Sequence, residues 1–179
     1  MTHMTTDELI ATAPDHSEAA DYYFTYIDQV PKGDIREILR AQLPEIVEQL
    51  NGISEEKSLY RYAPGKWSIR EVVSHVNDGE RVFAGRAFWF ARGFDSPLPS
   101  FDQDVGVAGA RADDRSLKSH IEEFDTIRRA TLAFVDSLPA EAWNRRGIAS
   151  DNPFSVRALA YVIAGHATHH MKVLRRLYA

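Results

Sequence analysis

The sequence predicts an all-α protein, a four-helix bundle with a short additional N-terminal helix, on three observations. Four segments place apolar residues at the 3.6-residue spacing of an amphipathic helix. A helix-starting signal stands at or near the head of each. No stretch shows the sustained alternation of a half-buried strand. At 179 residues, 44% hydrophobic and 26% charged, the chain is large enough to close one core. A single domain over 1–179 is expected, with about 1–14 flexible.

The first long helix opens at Asp34, where Asp34 and Glu37 have capping-box spacing. Ile35, Ile38, Leu39, Leu43, Ile46, Val47 and Leu50 mark its inner face, and Asn51-Gly52 ends it. Pro44 lies inside this run and predicts a kink or break near Leu43. Ahead of it, the aromatic residues between Asp15 and Val30 (Tyr22, Tyr23, Phe24 and Tyr26) predict a short helix packed across the bundle.

The second helix has the clearest start. Ser68 and Glu71 form a capping box, and Trp67 with Val72 hold the positions of a hydrophobic staple. Its stripe of Ile69, Val72, Val73, Val76, Phe83 and Ala87 predicts a helix to Phe90 or Ala91, stopped by Gly93. A long loop with Pro97, Pro99, Gly106 and Gly109 then separates it from the third helix, expected over Asp114 to Ser137. Loops of this length inside a compact domain are often functional. The fourth helix starts near Ser155, after Pro153, and runs almost to the end.

The net charge of −5 and the scatter of basic residues argue against a nucleic-acid binder. Lys172, Arg175 and Arg176 cluster only where they complement the dipole of the last helix. No apolar run is long enough to cross a bilayer, and Met1 to Ala13 lacks the order of a signal peptide, so a cytoplasmic location is expected. With no cysteine, the chain supplies no thiol nucleophile and no thiolate ligand.

Histidine is where the sequence points to chemistry. Three of the seven, His166, His169 and His170, fall within five residues of the last helix. Residues four apart share a helix face, about 6 Å apart along the axis, so His166 and His170 can meet one ion. Projected at about 100° per residue against the stripe Val156, Ala160, Ile163, Ala167 and Val173, His170 lies roughly 40° from its centre and His166 roughly 80°. His169 lies roughly 140° away and points outward or to an edge. His75, at the flank of the second helix's stripe, is placed to add a third imidazole across a groove. Three ligands leave a coordination position open for a reactant, as a catalytic metal requires. The bland reading is that each histidine is a hydrogen-bonded core residue. His120, near the inner side of the third helix, is a further candidate; His3 and His16 are expected bystanders.

The run from Lys66 to Glu80, KWSIREVVSHVNDGE, resembles the second-helix signature of the DinB-like superfamily. The run from Ala164 to His170, AGHATHH, resembles its last-helix signature, and the likeness extends from about Asp34 to Leu177. The resemblance implies an up-down-down-up bundle, often a homodimer, holding zinc or nickel on three histidines at the positions of His75, His166 and His170. His169 falls at a position that is commonly histidine but is not a standard ligand. Asp78 and Glu80 match the family's acidic positions, where a carboxylate orients a ligand imidazole or serves in catalysis; the alternative is an exposed charge or an ion pair with arginine. Asp102 and Asp104 in the long loop could close over the site; the default reading is a pair of solvated loop carboxylates.

Three functions follow. The first is a metal-dependent enzyme that activates a low-molecular-weight thiol for transfer to an electrophilic small molecule, as the resemblance implies through thiol S-transferases and a thiol-dependent isomerase. Without cysteine in the chain, that thiol arrives as a cosubstrate. The second is a metal-dependent hydrolase using metal-bound hydroxide. The third is a non-catalytic metal-binding bundle for dimerisation or sensing. No nucleic acid or membrane partner is expected.

Overall fold

The computed structural model describes residues 5–179. Seven helices form in chain order: α1 (Thr6–Ile10), α2 (Asp21–Ile27), α3 (Ile35–Asn51), α4 (Ile69–Ala91), α5 (Gln103–Ala110), α6 (Leu117–Asp136) and α7 (Val156–Leu177). A hairpin of β1 (Arg146–Ala149) and β2 (Asn152–Ser155) leads into α7. No described helix is long and apolar enough to cross a membrane.

Helices α3, α4, α6 and α7 make the bundle, with α4 against α6 and α7, and α3 against the same two. Side-chain pairs give their directions. Gln42 bonds to Ala164 and Thr168, and Gln49 to Met171, so α3 and α7 run parallel. Asn77 bonds to His120 and Glu80 to Arg128, so α4 and α6 are parallel too. Arg40 meets Asp136 while Gln42 meets Arg128, which makes α3 and α6 antiparallel. The bundle is therefore up-down-down-up, and the consecutive helices α3 and α4 face each other diagonally.

The caps explain the helix starts. Ser68 accepts from the amide of Glu71, whose carboxylate returns to the amide of Ser68, as the sequence predicts. Ser116 and Ser155 cap α6 and α7. Asp34 caps α3 through Arg36 N–H and pairs with the Arg36 side chain, while Glu37 turns to Arg40; the expected capping box there does not form. Of the kink or break expected near Leu43, the break does not occur: α3 runs as one helix through Pro44. Pro44 removes only one backbone donor, and the buried Leu43, Ile46 and Leu50 hold both halves to one core.

Three segments depart from the expected outline. The hairpin was hidden because each strand has four residues and Pro153 argues against a ladder. Its two-residue turn places Ser150 and Asp151 at φ +52° and +58°, the primed turn that suits strand twist, without the glycine that normally signals it. The long loop contains α5, capped by Asp102, and is stitched to the hairpin by Leu98 N–H to Ile148 O at 2.9 Å and Ser150 N–H to Leu98 O at 3.1 Å. Within the stretch expected to be flexible, α1 has its own capping box and sinks Leu9 and Ile10 into the core.

Buried polar pairs tie these parts together. Arg128 is fully buried on α6 and donates to Glu80 on α4 at 2.8 and 2.9 Å, and to Leu39 O and Gln42 on α3 at 3.1 Å. Gln42 in turn donates to Ala164 O and Thr168 on α7. A second pair, Arg157 and Glu18, fastens the N-terminal segment to the start of α7, with Glu18 also accepting from Ser155. Removing one partner of a buried pair strands the other charge. Glu80→Ala is expected to cost about 3–5 kcal/mol in urea unfolding. The double variant Glu80→Leu/Arg128→Met should recover part of that loss; a double variant no better than the single would show that the pair does not act as a unit.

Candidate metal centre

α4 and α7 cross where each is thinnest. Gly79, one turn beyond His75, leaves its face open, and a Cβ there would lie 2.7 Å from Cε1 of His166. The absent side chain is what lets the His166 ring enter between the helices. On the other side of α7, Gly165 does the same for α2: a Cβ would run into the Tyr26 carbonyl. α2 thus lies close enough to put the Tyr26 ring 5.3 Å from His166 and 5.4 Å from His169.

His75, His166 and His170 converge at this crossing. One ring nitrogen from each lies within 4.8 Å of the others, a group that could hold a metal ion. Nε2 of His75 is 3.0 Å from Nε2 of His166, and the three ring centroids are 4.5–4.9 Å apart. Trp67, at the head of α4, tilts against His75 at 5.0 Å. His75 and His166 are buried and His170 is half-buried.

Burial disfavours the charged imidazolium and brings all three pKa values down. His75 is lowered to about 4, with Asp104 opposing the shift slightly, and His170 to about 3. His166 falls well below its ordinary value, through burial and then the neighbouring His170 and His75. All three are neutral at pH 7, the form in which imidazole binds a metal. Their donor set fits a divalent ion for a further reason. The buried Nδ1 of His75 has no partner among the described residues, and the one polar contact within the triad is between His75 and His166. Imidazoles buried with so few partners are costly unless something else engages them.

The other sequence candidates lie elsewhere. Glu80 is engaged by Arg128 on both oxygens, and Asp78 sits 3.3 Å from Arg81 with its pKa raised by burial. Each follows the ion-pair alternative. His120 is fully buried, with Nε2 2.9 Å from Ala112 O, and stays apart from the triad. His169 turns to the edge, its Nδ1 3.3 Å from Gln29. His16 stacks on Phe24, and His3 lies outside the described residues.

Cavities open on both sides of the triad. One, of about 250 Å³, is bounded by His75, Gly79 and His166 and walled by Tyr23, Tyr26 and Arg86. The other, of about 330 Å³, reaches His170 and is walled by Trp67, Lys66, Asp104 and Tyr178. The first turn of α5 serves both, with Gln103 in the first and Asp104 in the second. Sequence reasoning missed Arg86 and the roles of the two glycines. A glycine inside a strong helical pattern is the signal that marks such close approaches.

Residues 37–174 match the family model of the DinB superfamily. The chain belongs to the DinB superfamily. No curated protein matches the sequence. Solved structures that share the fold include the following two. YfiT from Bacillus subtilis, a probable metal-dependent hydrolase with an unusual four-helix bundle topology, superposes with a TM-score of 0.69 at 15% identity. The match spans 92% of this chain and 93% of YfiT. A mycothiol-dependent maleylpyruvate isomerase superposes at 0.66 with 10% identity over 77% of this chain, which spans 58% of that larger protein. These likenesses show the fold alone and leave the chemistry to the residues.

Two outcomes are expected. Protein purified without chelator should carry about one divalent ion per chain by elemental analysis, and His166→Ala should fall to background. Gly79→Ala should also lose most of the metal, because its methyl displaces the His166 ring; metal content equal to wild type in either variant would sink the site. The second outcome concerns pH. In the folded, metal-free protein His75 and His170 titrate near 4 and 3, whereas in the unfolded chain they titrate near 6.5. Below about pH 6.5 the unfolded chain binds more protons, so the stability these groups leave intact at neutral pH is lost as pH falls towards 4 and 3. Chelator-treated protein should show this loss in urea unfolding between pH 7 and 5, and His170→Gln should lessen it. An unchanged pH dependence in the variant would contradict the burial argument.

Proposed function

We propose that this chain is a divalent-metal-dependent enzyme that activates a low-molecular-weight thiol and transfers it to an electrophilic small molecule. The observation that supports this reading is the placing of the neutral triad between two separate cavities, one for each reactant. His75, His166 and His170 would hold the ion. A bound divalent cation, zinc or nickel, would lower the pKa of a thiol or water so that a nucleophile exists at neutral pH.

The chain's own residues supply the rest. Asp104 is the one carboxylate lining either cavity, and it stands in the His170 cavity where a thiol proton can be received. Trp67 and Tyr178 give that cavity its apolar walls. The electrophile occupies the cavity of His75 and His166, where Tyr23 and Tyr26 stay protonated because burial raises their pKa values. Neutral phenols there can donate hydrogen bonds to charge developing on the electrophile. The sulfur bonds to the electrophilic carbon, and the displaced pair leaves with the leaving group.

Asp104 also favours a second reading, a hydrolase in which it takes the proton of an attacking water. Added thiol separates the two. With 1-chloro-2,4-dinitrobenzene and a panel of low-molecular-weight thiols, the metal-loaded protein should turn over only when thiol is present, releasing chloride. Asp104→Asn should lower kcat by about 100-fold. Ester cleavage without thiol would move the assignment to the hydrolase, and no turnover in either assay would leave a metal-binding bundle.

A further inference from the structure

Three arginines are buried among the described residues: Arg86, Arg128 and Arg157. Two have a buried carboxylate for a partner, Glu80 for Arg128 and Glu18 for Arg157. Arg86, at 5% exposure, has none among the described residues. Its two hydrogen bonds both run from Nη2, to Pro99 O at 3.0 Å and Ser150 Oγ at 2.8 Å. The Phe83 ring packs beneath its guanidinium at 5.8 Å, and the Tyr23 phenol lies beside it. Nη1 and Nε are left without a carboxylate. Neither atom is among the sealed, unpartnered polar atoms of the described residues, so the fork faces the cavity beside Tyr23 with no counter-charge, where an anion can complete it.

The fork lines the cavity that reaches the triad. His75, Gly79, Phe83 and Arg86 follow one another at helical spacing along α4 and all border that cavity. The first and last are eleven positions apart, about 16 Å along the axis. Arg86 is the only formally charged side chain among the cavity's lining residues, and the remaining walls are chiefly aromatic. Arginine binds a planar carboxylate through two parallel hydrogen bonds. A phosphate dianion would call for more cationic donors than one.

We propose that Arg86 anchors the carboxylate of the substrate in this cavity, so that the molecule processed at the triad is a small organic acid with an apolar or aromatic body. The carboxylate rests on Nη1 and Nε, and the other end of the molecule points along α4 towards His75 and His166. The loop carbonyl of Pro99 and the hairpin hydroxyl of Ser150 aim the fork, which gives the two irregular segments near the bundle a shared task. This assignment rests on the triad being the reactive centre, but its first test does not use the metal or turnover.

Benzoate and inorganic phosphate are titrated into chelator-treated protein by calorimetry, with wild type, Arg86→Gln and Arg86→Lys. Benzoate should bind wild type saturably and more tightly than phosphate, and Arg86→Gln should weaken it at least ten-fold. Arg86→Lys, which keeps the charge and gives up the fork, should fall between them. Since the buried variants could misfold, the same titration is followed in wild type by the Arg86 Nε–H resonance, identified by its loss in the Arg86→Lys spectrum, which should shift with benzoate. Absence of benzoate binding, an unmoved Nε–H resonance, undiminished binding by folded Arg86→Gln, or tighter binding of phosphate would each overturn the assignment. If benzoate binds as expected and metal-loaded protein shows no turnover, the anchor stands and the enzymatic reading fails.

Discussion

Arg128 reaches no solvent, and every hydrogen-bond acceptor of its guanidinium lies on a helix other than its own. Glu80 approaches from α4, Gln42 and the Leu39 carbonyl from α3, and Gln42 passes the connection on to Ala164 and Thr168 of α7. Apolar contact alone lets helices slide by a turn at modest cost, because one leucine replaces another. Four directed hydrogen bonds do not allow this. Ala164 and Thr168 stand two residues before and after His166, and Glu80 is adjacent to Gly79. The network thus fixes the height at which α4 meets α7, and with it the meeting of three imidazoles. A buried ion pair adds little net stability over apolar packing of the same shape. Its contribution here is register.

From that register follows the need for glycine. Once α4 and α7 are held at this height, His166 points straight at the backbone of α4, and only a residue without Cβ leaves room for the ring. Gly165 then admits α2, whose tyrosines close one cavity over the site. The helix propensity lost at these two positions is about 1 kcal/mol each. In exchange the site lies inside the bundle, where burial keeps the imidazoles neutral. Packing and chemistry share one geometric cause.

Periodicity made most of this legible. The helix pair carrying the triad was readable because Ser68 with Glu71 and Ser155 mark their starts, and the projection separated His166 and His170 from His169. His75 is harder, since its meeting with α7 depends on the register set by Arg128. Nothing local distinguishes Arg128, Arg157 or Arg86 from a surface arginine: burial of a charge is decided by a partner far away in sequence. Ser150 and Asp151 hide their turn because each adopts positive φ without being glycine. α5 hides because Gly106 and Gly109 dilute its helical signal, leaving only the Asp102 cap.

The two cavities are unlike in charge, and that difference orders the site. The His170 side holds Lys66 and Asp104, opposite charges that balance, and it opens beside Trp67 and Tyr178. The His75 and His166 side holds Arg86 without a counter-charge. In a region where burial weakens screening, one uncompensated cation favours anions over neutral or cationic molecules of the same shape. A second cation bound by the triad would deepen that preference. The fixed charges therefore distinguish the two sides before any ligand arrives: Arg86 favours anions on one, and Asp104 stands beside Lys66 on the other. Because α5 spans both sides with adjacent residues, Gln103 and Asp104, a shift of its first turn would alter both cavities together. The loop that departs from the bundle is thus the element that borders both halves of the site.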